Sequence, residues 1–235
     1  MKQRRSWYVA ALLTGLGGLF LLVAAATRWL PCLGNDDSPA CLTRQGRGFD
    51  YLVPVEPAQP LPATAVLAGV GLLLFAAAWP FLLRRLPVRR PVLRAVALVV
   101  MVAKPLVLGL LVLAAPVAGV LPRSASPALL ITEIVLDLAA LVVVLTASNH
   151  RLVDYQRLLV AAVAYWLVGW VGVVLDAMVF GLLAPDADVA PGSGLLTGVV
   201  LMICGGGIAA LTATAQERQL PTGAAGDPLE RPTHR

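Results

Sequence analysis

Residues 95–121 read AVALVVMVAKPLVLGLLVLAAPVAGVL. A helix that crosses a bilayer needs roughly 20 consecutive, mainly apolar residues. This stretch exceeds that length and carries a single charge, Lys104, followed directly by Pro105. Five more stretches have the same character: Trp7 to Leu30, Ala63 to Leu83, Pro127 to Thr146, Leu158 to Ala184 and Leu195 to Ala215. The pattern predicts an all-α integral membrane protein. Residues 1–215 are read as a polytopic bundle of about six transmembrane helices, and residues 216–235 as a polar, disordered tail.

Composition points the same way. Of the 235 residues, 59% are hydrophobic and 13% charged, where soluble domains carry about a quarter charged residues. A soluble globule of this size has too little interior to hide that apolar surface, whereas lipid solvates it directly. The net charge of +5 does not mark a nucleic-acid binder, because the arginines gather at the ends of the apolar stretches and aromatic residues are not interleaved with them as a stacking platform requires. The Ala, Val, Leu, Arg and Pro-heavy composition suits a bacterial plasma membrane.

Lys and Arg positions set the expected orientation. With the N-terminus inside, thirteen basic residues fall on cytoplasmic segments: Lys2, Arg4, Arg5, then Arg84, Arg85, Arg89, Arg90, Arg94, then Arg151, Arg157, then Arg218, Arg231, Arg235. Four fall outside: Arg28, Arg44, Arg47 and Arg123. The bias alternates correctly at every connection, which predicts both termini in the cytoplasm. The basic start, apolar run and Ala24-Ala25-Ala26 resemble a signal peptide, but a run of about 20 residues is long for one, so an uncleaved first helix is expected.

The outer segment 31–62 holds six prolines and the run Asn35-Asp36-Asp37-Ser38. It reads as turns and extended chain. Cys32 and Cys41 both lie in it, and outside the cytoplasm a disulfide is the default. Closing so short a loop stabilises by about 2–3 kcal/mol in the chain-entropy view. A catalytic dithiol would more often show Cys-x-x-Cys spacing. Cys204, in the last apolar stretch, reads as a packing residue.

Ionisable residues inside the apolar stretches are the best functional signal, since a charge at the bilayer centre costs about 2.5–3.5 kcal/mol on insertion scales. There are four: Lys104, Glu133, Asp137 and Asp176. At a rise of about 1.5 Å per residue, Lys104 lies ~13 Å from the inner end of its helix and Asp137 ~15 Å from the outer end of the next. In a core about 30 Å thick the two are nearly level, and an ion pair between these antiparallel neighbours is reasonable. Glu133 and Asp137 are spaced i, i+4 and share a face. One of them is expected to be protonated, or Lys104 to be shared between them. Asp176 would lie ~12 Å from the outer surface and could complete a polar cluster. Pro105 removes a helix hydrogen bond at the Met101 carbonyl and predicts a kink beside the charge.

Each signal has a plainer reading. The charges can simply lock helices together, or Lys104 can snorkel toward the interface. Tyr165, Gly169, Gly172 and Asp176 on one face of the fifth stretch, Gly198 and Gly205-Gly206-Gly207 in the sixth, and Thr14, Gly17 and Gly18 in the first suit close helix packing in lipid. Trp7, Tyr8, Trp29, Trp79 and Tyr155 sit near helix ends, where aromatic rings favour the interface. Trp166 and Trp170 read as packing residues.

No cofactor is implied. The only histidines, His150 and His234, fall in cytoplasmic segments, which excludes a histidine-built haem or metal centre within the membrane. No phosphate-binding loop, dinucleotide fingerprint or hydrolase motif occurs. The expectation for function is a non-enzymatic accessory or scaffold subunit that binds other membrane proteins or a second copy of itself. The alternative is a small transporter or proton- or ion-coupled carrier built on the four charges.

Overall fold

The computed structural model describes residues 2–34, 38–45, 61–84, 91–118, 125–146, 152–182, 192 and 194–217. The Asn35–Asp37 run, most of the expected outer loop 31–62, the arginine-rich connection 85–90, both histidines and the tail from 218 onward lie outside them. Among the described residues the secondary structure is entirely helical. In chain order the helices are α1 (Lys2–Trp29), a 3₁₀ turn (Leu30–Cys32), α2 (Pro39–Gln45), α3 (Pro62–Leu83), α4 (Pro91–Ala118), α5 (Ala125–Thr146), α6 (Leu152–Leu167), α7 (Trp170–Gly181) and α8 (Leu195–Glu217). Among the described residues, four segments are long and apolar enough to cross a membrane: Arg5–Cys32, Pro62–Leu83, Val92–Val117 and Leu195–Ala215.

Two elements differ from the sequence expectation. The fifth apolar stretch is two helices rather than one, because the chain breaks at Val168 and Gly169 between α6 and α7. Segment 31–62 holds the short helix α2, where turns and extended chain were expected. Its start has a local cause. Ser38 precedes the first residue of α2, Pro39, whose missing N–H costs nothing there. The Ser38 hydroxyl accepts from Cys41 N at 3.2 Å and donates to the Pro31 carbonyl at 3.4 Å, the pattern of a helix N-cap. A disulfide joins Cys32 to Cys41 with Cα atoms 4.8 Å apart. Both cysteines are buried in one apolar cluster with Trp29.

Glycine sets the spacing of the long helices. α1 lies against α3 and α8, and α3 against α4. A methyl group added at Gly18 would stand 2.6 Å from Met202 N and 2.7 Å from the Gly198 carbonyl oxygen, so α1 and α8 touch backbone to backbone. Gly17 and Gly71 bring α1 and α3 together in the same way, with a Cβ at Gly17 falling 2.8 Å from the Gly71 oxygen. In lipid, where burying apolar surface gives no advantage over the tails, such contact is the main source of helix association.

Aromatic rings fill the space toward α6. Trp79, assigned by its place near a helix end to the interface, is fully buried. It meets Phe75 and Tyr165 edge-on at centroid distances of 5.8 and 5.6 Å. At one end of the bundle Arg157 of α6 bonds Asp154 and the Leu211 carbonyl of α8, each at 2.8 Å. Its guanidinium lies 4.9 Å from the Trp7 ring of α1, so one side chain ties three helices.

Gly18→Val should lower the melting temperature of the detergent-purified protein, by about 1–3 kcal/mol of stability or more, because the obstructing atoms are backbone and cannot turn aside. Gly206→Ala is the control. Nothing lies within 4 Å of its added methyl, so the melting temperature should hold or rise slightly.

Candidate functional site: a buried charge cluster at a broken helix

α4 continues through Pro105 to Ala118 and carries Lys104 at the middle of its 28 residues. α5 presents Glu133 and Asp137 one turn apart. The third wall is the junction of α6 and α7. Gly169 there has φ +110° and ψ −144°, a conformation that side-chain-bearing residues rarely adopt. With the helical ladder interrupted, the carbonyls of Tyr165 and Leu167 turn to side-chain donors from other helices.

Lys104 serves the first of these. Its ammonium donates to Asp137 Oδ1 at 2.6 Å and to the Tyr165 carbonyl at 3.5 Å, and it lies 5.0 Å from the centroid of the Tyr165 ring. The lysine side chain is fully enclosed, while 17% of the Asp137 side chain remains exposed. Asp137 is therefore the member of the pair through which the site meets its surroundings. Glu133 is buried beside them. A Cβ added at Gly169 would fall 2.9 Å from Lys104 Cε and 3.0 Å from Glu133 Oε2. The bare glycine backbone thus lies directly against both charged side chains. Tyr165 closes the arrangement. Its hydroxyl donates to the Val100 carbonyl at 3.1 Å, one residue before the carbonyl that Pro105 leaves without its usual donor. Trp166 Nε1 donates to the Asp137 carbonyl at 3.4 Å.

Asp176 has other partners. It is fully buried on α7, and its carboxylate accepts from Gly194 N at 2.9 Å and Leu196 N at 3.3 Å. These are orphan donors at the start of α8, where a negative charge also meets the positive end of the helix dipole. The Thr197 hydroxyl lies 3.4 Å from both Asp176 Oδ2 and the Leu167 carbonyl oxygen, and its single proton can serve one of them at a time. The structure therefore groups Lys104, Glu133 and Asp137 around Gly169, and gives Asp176 a separate network on the far side of the same break.

The sequence reading named Tyr165 and Gly169 only as part of a small-residue packing face, and did not name Thr197. The signal was present in Gly169 and Gly172, three residues apart in the middle of an apolar stretch, since glycine weakens a helix that lacks another reason to hold. Among the described residues no group of three His, Cys, Asp or Glu side chains could hold a metal ion. Cys204 is buried and unpaired with another cysteine. No family model, curated protein or solved structure matches this chain.

Two substitutions test the two sides of the break. Gly169→Val forces a branched residue into a left-handed backbone against two charged side chains, and should cost about 1–3 kcal/mol in strain alone, read as a lower melting temperature. Asp176→Ala orphans buried donors at about 1–3 kcal/mol each. It too should lower the melting temperature, and the loss should be smaller for Asp176→Asn, whose side-chain oxygen still accepts.

Proposed function

We propose that the protein is a small ion-coupled carrier, with Lys104, Asp137 and Glu133 forming a proton- or cation-handling site. The observation that carries this reading is the break at Gly169, set at mid-helix depth directly against a buried Lys104–Asp137 pair. Interrupted helices that expose backbone to a polar site near the bilayer centre are the usual construction of secondary transporters, because irregular backbone is tolerated at that depth only where protein or water satisfies it. One ammonium beside two carboxylates is a grouping in which a proton or small cation can be taken up and given back. Protonation of Asp137 would weaken its hold on Lys104, whose ammonium stays beside Glu133 across Gly169, and this gives the site a second arrangement.

The orientation proposed with it has six spans. They are α1, α3, α4, α5, the α6–α7 pair and α8, with both termini in the cytoplasm of a bacterial cell, on the evidence of the thirteen-to-four charge bias. A second reading is an accessory subunit that docks on another membrane protein or a second copy. It draws on α5, which packs mainly against α4 and α6 and leaves Ile131, Val135, Leu138 and Val142 exposed along its outer side.

Reconstituted into liposomes with an imposed pH gradient and an enclosed pH-sensitive dye, the wild-type protein should dissipate the gradient faster than protein-free liposomes. Asp137→Asn should abolish that flux while remaining folded and monodisperse in detergent, though with a lower melting temperature, and Asp176→Asn should leave the flux in place. Folded wild-type protein that moves neither protons nor sodium or potassium ions under gradients of either sign would sink the carrier reading. Recovery of the same membrane protein, or of a stable dimer, on gentle purification would then favour the second.

A further inference from the structure

α3 ends and α4 begins at the same end of the bundle, and between them lies a cleft of about 550 Å³ lined by Pro80, Phe81, Leu83, Arg84, Arg94 and Leu98. Its composition is divided. Four apolar side chains form the wall, and two guanidinium groups stand at the helix ends. Arg84 is the exposed C-cap of α3. Arg94, half-buried in α4, donates from Nη2 to the Arg84 carbonyl. A guanidinium has five N–H donors, so that one bond leaves most of the fork for an anion.

Charge balance decides what such a cleft accepts. The sequence contains no Asp or Glu between Glu56 and Glu133, so neither α3 nor α4 carries a carboxylate to neutralise the pair. Asp154, outside these helices, is engaged by Arg157 at 2.8 Å. The helix dipoles oppose each other here, since α3 contributes its negative end and α4 its positive end, each about half a charge. The two full charges of the arginines therefore dominate. A helix end in an apolar bundle sits at the level of lipid headgroups, where basic clefts between spanning helices hold anionic headgroups.

We infer that this cleft is a binding site for an anionic phospholipid. The headgroup phosphate sits between Arg84 and Arg94, and the glycerol and first methylenes lie against Phe81, Leu83 and Leu98. A free phosphate would match the arginines but would leave the apolar wall unused. The inference is independent of what Lys104 and Asp137 handle.

Native mass spectrometry of protein released from nanodiscs of equal phosphatidylglycerol and phosphatidylcholine tests it. Wild type should retain phosphatidylglycerol several-fold over phosphatidylcholine. The Arg84→Gln/Arg94→Gln variant should retain the two alike, while melting as wild type does in phosphatidylcholine alone. If the double variant fails to fold, Arg84→Gln, at an exposed side chain, should still cut the preference at least twofold. Equal retention of both lipids by wild type would overturn the proposal, as would a folded variant that keeps the wild-type preference. Millimolar inorganic phosphate raising the wild-type melting temperature as much as phosphatidylglycerol does would also overturn it, in favour of a soluble anion.

Discussion

A carbonyl released from a helix inside an apolar bundle must find a donor within the protein, because lipid offers none and each unsatisfied group costs several kcal/mol. That constraint organises the polar half of this molecule. The positive φ of Gly169 interrupts α6–α7, and the Tyr165 carbonyl is met by Lys104 while the Leu167 carbonyl is met by Thr197. Lys104 in turn needs a counter-charge, which Asp137 supplies at 2.6 Å. Thr197 stands beside Asp176, which caps α8. Lys104, Glu133, Asp137 and Asp176 are thus connected, directly or through one side chain, to a single break in the backbone.

The other half of the bundle is built on a different principle. α1, α3, α4 and α8 approach until glycine carbonyls and amides are in contact, and dispersion between closely packed backbones holds them. α5 to α7 join this body through polar contacts as well as the apolar face of α6: the Lys104 pair, the Tyr165 hydroxyl on Val100, Asp176 on the start of α8 and Arg157 on the Leu211 carbonyl. The carrier proposed above would work by rearrangement along this polar seam, with the glycine-packed helices left intact. An accessory subunit could use the same seam only to orient α5.

The candidate site was legible in part. Helix length and the near-equal depth of Lys104 and Asp137 suffice to set those two residues level on neighbouring helices, and the i, i+4 rule sets Glu133 beside Asp137. Asp176 was not legible in the same way. Its depth along the chain is similar, but its partners are the first amides of α8, and no one-dimensional measure shows which helix end a carboxylate meets. Trp79 is the parallel case among the apolar residues. Position near a helix end suggests the interface, yet packing between Phe75 and Tyr165 buries it fully.

The sequence by itself determined that the chain is helical and suited to a membrane, since run length and apolar content depend on each residue's own transfer energy and add along the chain. It also pointed to the cysteine pair, because Cys32 and Cys41 share one segment outside the apolar stretches while Cys204 lies inside one. The tertiary structure alone decided where the backbone breaks, which carboxylate answers which donor, and which helices touch through glycine. These depend on what lies across the bundle. A glycine in a helix is a weak point everywhere, and it becomes a break only where side chains from other helices stand ready to take the carbonyls it sets free.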